Sequence, residues 1–313
     1  MYTMSETITY ALPEQIGNTN LFVGRKKEFD YFLGDWYYYL QNNIAQSQAI
    51  VARRKKGKTA FLQRLFNILW SSPDRHVIPF YYLIQDQMIT LSGLAKEFFA
   101  TFASHYLSFC ERKEETVKAP LNYAMLKNRL TRYPELLSRC QSIDELEKTD
   151  NWDLMWKVAS RTPFEIAVAK GIKIVQILDE FQNINAYVCD RRGEKIDTMS
   201  GTYLDLAEKK EAPLIISGSE VHGLIKIIRH LTGRFAEYPL SNLREEEGKE
   251  AARRYATATR TRIDETAVEK IWNLTQGDPL YIKALFTTRY NETKDYTNEE
   301  NIIATYTEEI TRG

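Results

Sequence analysis

The sequence has 313 residues, enough for about two domains, and its 42 basic residues balance its 42 acidic residues. This neutrality gives no global reason to expect a nucleic acid or an anionic membrane as partner, although it leaves room for a local basic patch. The cysteines and histidines form no zinc-binding spacing, no signal peptide begins the chain, and no apolar run reaches about 18 residues, so we expect a cytoplasmic protein without a membrane span.

Strand and helix patterns alternate over the first 240 residues. Near-continuous apolar runs are typical of strands that are buried on both faces of a parallel sheet. Pro79 interrupts one predicted strand and favours an edge position or a bulge there. Helices are predicted where apolar side chains recur at helical spacing. The predicted strands are 48–52, 76–84, 172–178, 214–216 and 235–240, and the predicted helices are 59–70, 91–109 and 152–169.

The pattern changes after Ser241, where charged helical stretches follow without any strand signal. We therefore predict an α/β domain with a parallel sheet, followed by a small all-helical domain. The predicted organisation is an N-terminal arm (1–20), an α/β domain (21–241) with a helical insertion near 111–150, and a helical lid domain (242–313) whose helices are 244–257, 265–275, 280–290 and 299–310.

A phosphate-binding loop of the Walker A type, GxxxxGK[ST], follows the first predicted strand and opens the next helix. Gly57 lets the backbone approach a phosphate chain, Lys58 places a charge on the β- and γ-phosphates, and Thr59 offers a hydroxyl to Mg²⁺. Ala52 replaces the first glycine, which is unfavourable only if its φ is positive. The alternative is a solvated basic turn. The predicted nucleotide-binding residues of this segment are Arg53, Arg54, Lys55, Lys56, Gly57, Lys58, Thr59 and Ala60.

Two carboxylates end the apolar strand predicted at 172–178, which is the Walker B arrangement. Asp179 would hold Mg²⁺, and Glu180 would polarise the attacking water as general base. Both residues fall at the carboxyl end of a strand, where ligands bind in open α/β sheets. The alternative is a strand that ends in ordinary surface acids. The order of the two motifs favours a nucleotide site.

Three further segments accompany these motifs. They are Phe22-Val23-Gly24-Arg25, Ile216-Ser217-Gly218-Ser219 and Gly277-Asp278-Pro279. In chain order with the two motifs, these segments resemble the archaeal and bacterial STAND-like AAA+ P-loop ATPases, from about Leu21 to the end but without the insertion. The resemblance implies an ATP-binding P-loop domain with a helical lid.

The resemblance implies roles at the base end of the nucleotide. Val23, Gly24 and Arg25 would lie against the adenine, and Pro279 would let the helical lid read the bound nucleotide. Each segment also has a simpler interpretation. Val-Gly-Arg could be only a turn before a helix, and Gly-Asp-Pro is a good helix stop and restart.

The resemblance also implies roles near the γ-phosphate. Ser217 or Ser219 would take the sensor position, and Arg234 would act in cis or as a finger from a neighbouring subunit. The alternatives are a serine that ends a strand and caps a helix, and an ordinary exposed arginine. Family members usually continue into an output domain, so we expect that this chain is truncated or lacks one.

We therefore predict a Mg²⁺-dependent ATPase that acts as a slow, partner-stimulated molecular switch, with a protein partner or a second copy as its contact. One alternative is a module that binds nucleotide without hydrolysis, which Ala52 favours. Another is a nucleic-acid-handling ATPase of the transposition or replication-loading type. Its only hints are the basic turn and the lid arginines Arg253, Arg254, Arg260 and Arg262.

Overall fold

The computed structural model describes residues 8–231, 233–289 and 294–312, and its strands agree with the sequence prediction. All five predicted strands are confirmed, each within a few residues of its expected limits. Two short strands, which form a separate two-stranded sheet, were not predicted. The strands are β1 (Ser47–Val51), β2 (Val77–Leu83), β3 (Ile89–Thr90), β4 (Lys173–Asp179), β5 (Val188–Cys189), β6 (Leu214–Gly218) and β7 (Phe235–Pro239).

The predicted helices are confirmed as well, and the insertion near 111–150 is helical. The helix predicted to end at Tyr290 ends at Thr287, and Tyr290 lies outside the described residues. Among the described residues, no helix is both long and apolar enough to cross a membrane. The helices are α1 (Lys26–Asp30), α2 (Trp36–Gln41), α3 (Lys58–Ser71), α4 (Leu91–Glu111), α5 (Glu115–Lys118), α6 (Tyr123–Arg129), α7 (Pro134–Lys148), α8 (Trp152–Lys170), α9 (Val221–His230), α10 (Glu245–Thr259), α11 (Glu265–Thr275), α12 (Pro279–Thr287) and α13 (Glu299–Arg312).

The main sheet has the strand order β2-β4-β6-β1-β7, and every pair of neighbours is parallel. The carboxyl ends of the strands therefore meet at one edge of the sheet. Strand β2 is an edge strand, which confirms the interpretation of Pro79, because a proline cannot donate to a neighbouring strand. The next outward-facing amide of this strand, from Tyr81, donates to Nδ1 of the buried His105 on α4 (3.3 Å).

The chain divides into two compact units. The first, here called the sheet unit, contains all the strands and the helices α4–α9. Aromatic side chains form much of its core: Phe80 contacts Phe98 and Phe102 edge to face, with ring centroids 5.1 and 5.3 Å apart. Helix α4 packs on α8, and α7 packs on α8. The insertion therefore belongs to the core of this unit.

The second unit, here called the helical unit, contains residues 14–29, residues 52–61 and the described residues from 240 onward. Helices α10–α13 enclose an apolar cluster in which the rings of Tyr255 and Phe286 stack 6.3 Å apart. Leu21 and Val23 pack against this cluster. The phosphate loop and the Val-Gly-Arg segment therefore share one compact unit with the C-terminal helices. The domain limits near residues 20 and 242 stay predictions.

Candidate functional site

The phosphate loop connects β1 to α3, as the Walker A interpretation requires. Within the loop, φ is positive at Lys55 (63°) and at Gly57 (83°), but not at Ala52. The Cβ of Ala52 therefore adds no backbone strain, and the side chain is buried. The missing first glycine does not prevent the loop from forming.

Lys58 begins α3 and is buried, with 5% of its surface exposed. Its ammonium group donates to the carbonyl oxygens of Ala52 (2.8 Å) and Arg53 (3.0 Å). The positive charge is thus held against the loop rather than in solvent. Thr59 and Ala60 follow in the first turn of α3, and both are partly exposed.

Arg25 anchors the loop through its guanidinium group. It donates to the carbonyl oxygens of Lys56 (2.7 Å) and Ser241 (2.6 Å), and it pairs with Glu28 (3.3 Å). Arg25 follows Gly24, and both have positive φ. A Cβ on Gly24 would lie 2.5–2.7 Å from the side chain of Glu247, so the segment needs glycine for close packing on α10.

An apolar pocket of about 70 Å³ lies in the helical unit, beside the loop. Five of the predicted nucleotide-binding residues line it, namely Val23, Arg25, Gly57, Ala60 and Pro279. Mostly apolar walls with a few polar groups are typical of small-molecule sites. The remaining lining residues are Ile16, Leu21, Phe22, Leu243, Ala251, Tyr255 and Ile282.

The first carboxylate, Asp179, is fully buried at the end of β4 in the sheet unit. It accepts hydrogen bonds from the hydroxyl of Tyr81 (3.0 Å), the hydroxyl of Ser217 and the amide of Glu180 (3.0 Å). Burial and the neighbouring carboxylate raise the pKa of Tyr81 well above its usual value, so its hydroxyl keeps its proton and donates. Ser217 is thus brought onto Asp179, as its predicted position near the site requires.

The second carboxylate, Glu180, has a left-handed backbone conformation (φ 55°). Its Oε2 accepts from the side-chain amide of Gln182 (2.7 Å) and from the backbone amide of Ser219 (2.9 Å). A non-glycine residue at positive φ persists only where its surroundings hold it, and here two donors do so. The carboxylate is therefore fixed in direction.

Tyr81 and Gln182 are site residues that the sequence reasoning missed. Tyr81 falls in a strand recognised only as apolar and aromatic, and nothing local indicates that its hydroxyl reaches a carboxylate 98 positions away. Gln182 lies only two residues after Glu180, and this proximity in sequence was a signal that the two side chains could meet. Its contact depends on the turn that begins at Glu180.

Arg234 is not brought to the carboxylates. Phe235 pairs with Ser47 at the start of β1, whereas Ser217 pairs with Ile50 near its end. Arg234 therefore precedes the amino end of β7, roughly 13 Å from Ser217 along the strand direction. It pairs there with Glu208 (3.1 Å). Both roles of Arg234, in cis or as a finger from a neighbouring subunit, stay predictions.

The cations that suggested nucleic-acid handling fall into two groups. In the lid, Arg253 pairs with Glu265 (2.6 Å), Arg254 with Glu250 (2.7 Å) and Arg262 with Asp295 (3.3 Å). Arg260 is exposed and has no carboxylate partner within 4.0 Å among the described residues. In the loop, by contrast, three consecutive cations are exposed and have no carboxylate partner within 4.0 Å among the described residues. These are Arg53, Arg54 and Lys55.

A parallel sheet whose strand β1 leads through a phosphate loop into a helix is the fold of the P-loop NTPases, and this chain has that fold. The structure is similar to the Walker-type ATPase PABY2304 of Pyrococcus abyssi, with 16% identity, 96% of this chain and 78% of that chain covered, and a TM-score of 0.55.

Two other solved structures match with lower scores. The Thermotoga maritima RuvB Holliday junction branch migration motor has 12% identity, coverage of 96% and 73%, and a TM-score of 0.46. The Aeropyrum pernix ORC2 protein has 12% identity, coverage of 97% and 70%, and a TM-score of 0.46. No protein-family profile and no curated sequence matches this chain. At 16% identity, the similarity to the Pyrococcus abyssi structure supports the fold alone.

Proposed function

We propose that this chain binds ATP with Mg²⁺ and hydrolyses it, as an AAA+ P-loop ATPase. The observation that carries the proposal is the apolar pocket beside the phosphate loop, lined by Val23, Gly57 and Pro279 from three separate segments. A base fits apolar walls, and a phosphate chain fits a loop that ends at a helix N-terminus and carries a buried lysine.

Mg²⁺ prefers hard oxygen ligands and binds nucleotide sites through one or two protein oxygens plus phosphates. The carboxylate of Asp179 supplies two such oxygens. Its hydrogen-bond donors are neutral groups, namely two hydroxyls and one backbone amide. We propose that Asp179 and the hydroxyl of Thr59 hold Mg²⁺. The bound metal would neutralise charge on the phosphate oxygens.

Glu180 is the proposed general base. Gln182 and the amide of Ser219 both donate to its Oε2, which fixes the direction of the carboxylate. Ser217, bonded to Asp179, is the proposed sensor of the γ-phosphate. A carboxylate held in a fixed direction is suited to take a proton from water.

The proposed output is a STAND-type switch in which nucleotide state changes the position of the lid and so the affinity for a protein partner or a second copy. Arg234 supports self-association, because its place at the opposite edge of the sheet suits a finger that enters the site of a neighbouring copy. Turnover of the isolated chain is then slow.

The decisive experiment titrates the purified chain with MgATP by calorimetry and measures phosphate release, for wild type and for Glu180→Gln. We expect both proteins to bind MgATP. We expect the turnover of Glu180→Gln to be about 10²- to 10⁴-fold lower than that of wild type. Binding without turnover in either would support the module that does not hydrolyse. Absence of binding would contradict the proposal.

A second candidate is an ATPase that also contacts nucleic acid. Arg53, Arg54 and Lys55 favour it, because they are exposed and have no ion pair with any described residue. Among the lid arginines, Arg253, Arg254 and Arg262 are ion-paired and do not favour it, whereas Arg260 is exposed. If these cations contact phosphates, single-stranded DNA binds with an affinity that falls steeply with salt, and replacing each cation lowers the slope by about one. The test compares wild type with a variant in which Arg53, Arg54 and Lys55 are all replaced. An equal salt dependence of DNA affinity in the two proteins would exclude this candidate.

A further inference from the structure

One cation of the phosphate loop is tied to the C-terminal helices instead of pointing to solvent. Lys56 donates through its ammonium group to Oδ1 of Asn242 (2.6 Å) and to a carboxylate oxygen of Asp278. Its side chain is only 17% exposed, and that of Asp278 only 13%. Both contacts lie within the helical unit. This ion pair is therefore largely shielded from solvent, unlike the exposed Arg53, Arg54 and Lys55.

Asp278 also contacts the backbone at the start of α12. Its other oxygen, Oδ1, accepts from the amide of Leu280 (3.0 Å) and so caps the start of α12. The next residue, Pro279, lines the apolar pocket. One carboxylate thus joins the phosphate loop to the helix end that carries a wall of the proposed base pocket.

The loop needs such an anchor. Lys55 has positive φ, and a non-glycine residue in this region is strained by about 1–3 kcal/mol. Lys56, its neighbour, is held on both sides: Arg25 binds its carbonyl oxygen, and Asn242 and Asp278 bind its ammonium group. Backbone amides aimed at a phosphate are effective only when the backbone that carries them is fixed.

We infer that Lys56 and Asp278 are positioning residues: their ion pair holds the phosphate loop in its phosphate-binding conformation and couples that loop to the N-terminus of α12. The inference rests on the proposed function. The ion pair would link two events, phosphate binding to the loop and the conformation of α12 at its N-terminus. Such linkage is reciprocal, so each event favours the other to the same degree.

Charge sets the direction of the effects. In Lys56→Met, the carboxylate of Asp278 stays beside the loop without its cationic partner, largely buried, and repels phosphate. Asp278→Asn removes the charge but keeps a good helix cap, since asparagine caps as well as aspartate. Replacing both residues removes the anchor without leaving an unpaired charge.

The test measures affinities for MgATP, MgADP and adenosine by calorimetry on the full chain, for Lys56→Met, Asp278→Asn and the double variant. We expect each single variant to bind MgATP and MgADP about tenfold more weakly, within the usual range of coupling between sites. Adenosine has no phosphates and would contact only the proposed base pocket, so we expect all three variants to bind it with wild-type affinity. The double variant binds MgATP no more weakly than Lys56→Met.

The matched control is Lys249→Met. Lys249 lies on α10 of the same unit, its side chain is 10% exposed, and it pairs with Glu245 and Glu269 instead of the loop. We expect its nucleotide affinities to match those of wild type.

Additive losses in the double variant, or wild-type affinity for MgATP in either single variant, would overturn the inference. If Lys56→Met does not fold, Asp278→Asn alone decides the question. A wild-type chain that binds no MgATP defeats the proposed function, which is a different outcome.

Discussion

The phosphate loop in the helical unit and the carboxylate pair in the sheet unit are built in different ways. The loop is positioned by long cationic side chains, Arg25, Lys56 and Lys58, which bind backbone carbonyls and carboxylates of neighbouring segments. Asp179, by contrast, is fully buried and is positioned by the register of three adjacent strands, which brings Tyr81 and Ser217 to it.

The two regions therefore tolerate different changes. A loop held by charged contacts responds to the loss of a charge. A carboxylate held by strand register responds to changes in packing and in the protonation of buried groups.

Removing the buried lysine is the strongest test of the loop. Lys58→Ala removes a hydrogen-bond donor to the phosphates, and hydrogen bonds to charged groups contribute about 1.5–3 kcal/mol. We expect MgATP affinity to fall by up to about a hundredfold, measured by calorimetry. Lys283→Ala, an exposed cation on α12, serves as the control for net charge. Equal affinities of the two variants would show that Lys58 does not contact the phosphates.

The sheet unit should instead respond to pH through His105. Burial lowers the pKa of this histidine to about 3, whereas the unfolded chain has a value near 6.5. Between these values the unfolded state binds one more proton, so stability is fully present above about pH 6.5 and falls as pH decreases. We expect a loss of about 2 kcal/mol in unfolding free energy between pH 7 and pH 5 from this group.

Denaturant unfolding of wild type and His105→Asn at both pH values isolates this contribution. Asparagine keeps an acceptor for the Tyr81 amide but does not titrate in this range. The stability of the variant should depend less on pH by the stated amount. Identical pH dependence of stability in both proteins would mean that His105 takes up its proton equally well in the folded and unfolded states.

A smaller effect is expected at Gly218, which tests how Glu180 is held. A Cβ at this position would lie 2.2 Å from Oε1 of Gln182, so the amide that binds Glu180 must move. We expect Gly218→Ala to lower turnover about tenfold and to leave MgATP affinity unchanged. Gly201→Ala, where a Cβ meets nothing within 4 Å, is the control. Unchanged turnover in Gly218→Ala would remove Gln182 from the mechanism.

The sequence predicts the parts of the site that depend on local chemistry. The Walker A loop, the strand that ends in Asp179 and the helical end of the chain follow from spacing and apolar runs, and the structure contains each of them. The parallel sheet was also predicted, because apolar runs without alternation indicate strands covered on both faces.

The sequence could not predict features that depend on strand order or on distant packing. The contact of Tyr81 with Asp179 requires β2 to lie beside β4, and the position of Arg234 requires β7 to pair with β1. Arg25 was expected only at the adenine, yet its guanidinium also anchors the loop. The strained position in the loop is Lys55, which no glycine marks.

The main proposal to be tested is that Asp179 holds the Mg²⁺ of the bound nucleotide. Its most direct test compares the ATP affinity of wild type and Asp179→Asn by calorimetry, each with Mg²⁺ and with EDTA. If Asp179 holds the metal of the bound nucleotide, Mg²⁺ strengthens ATP binding in wild type and gives little gain in the variant, while both bind equally in EDTA. An equal gain from Mg²⁺ in both proteins would contradict the claim.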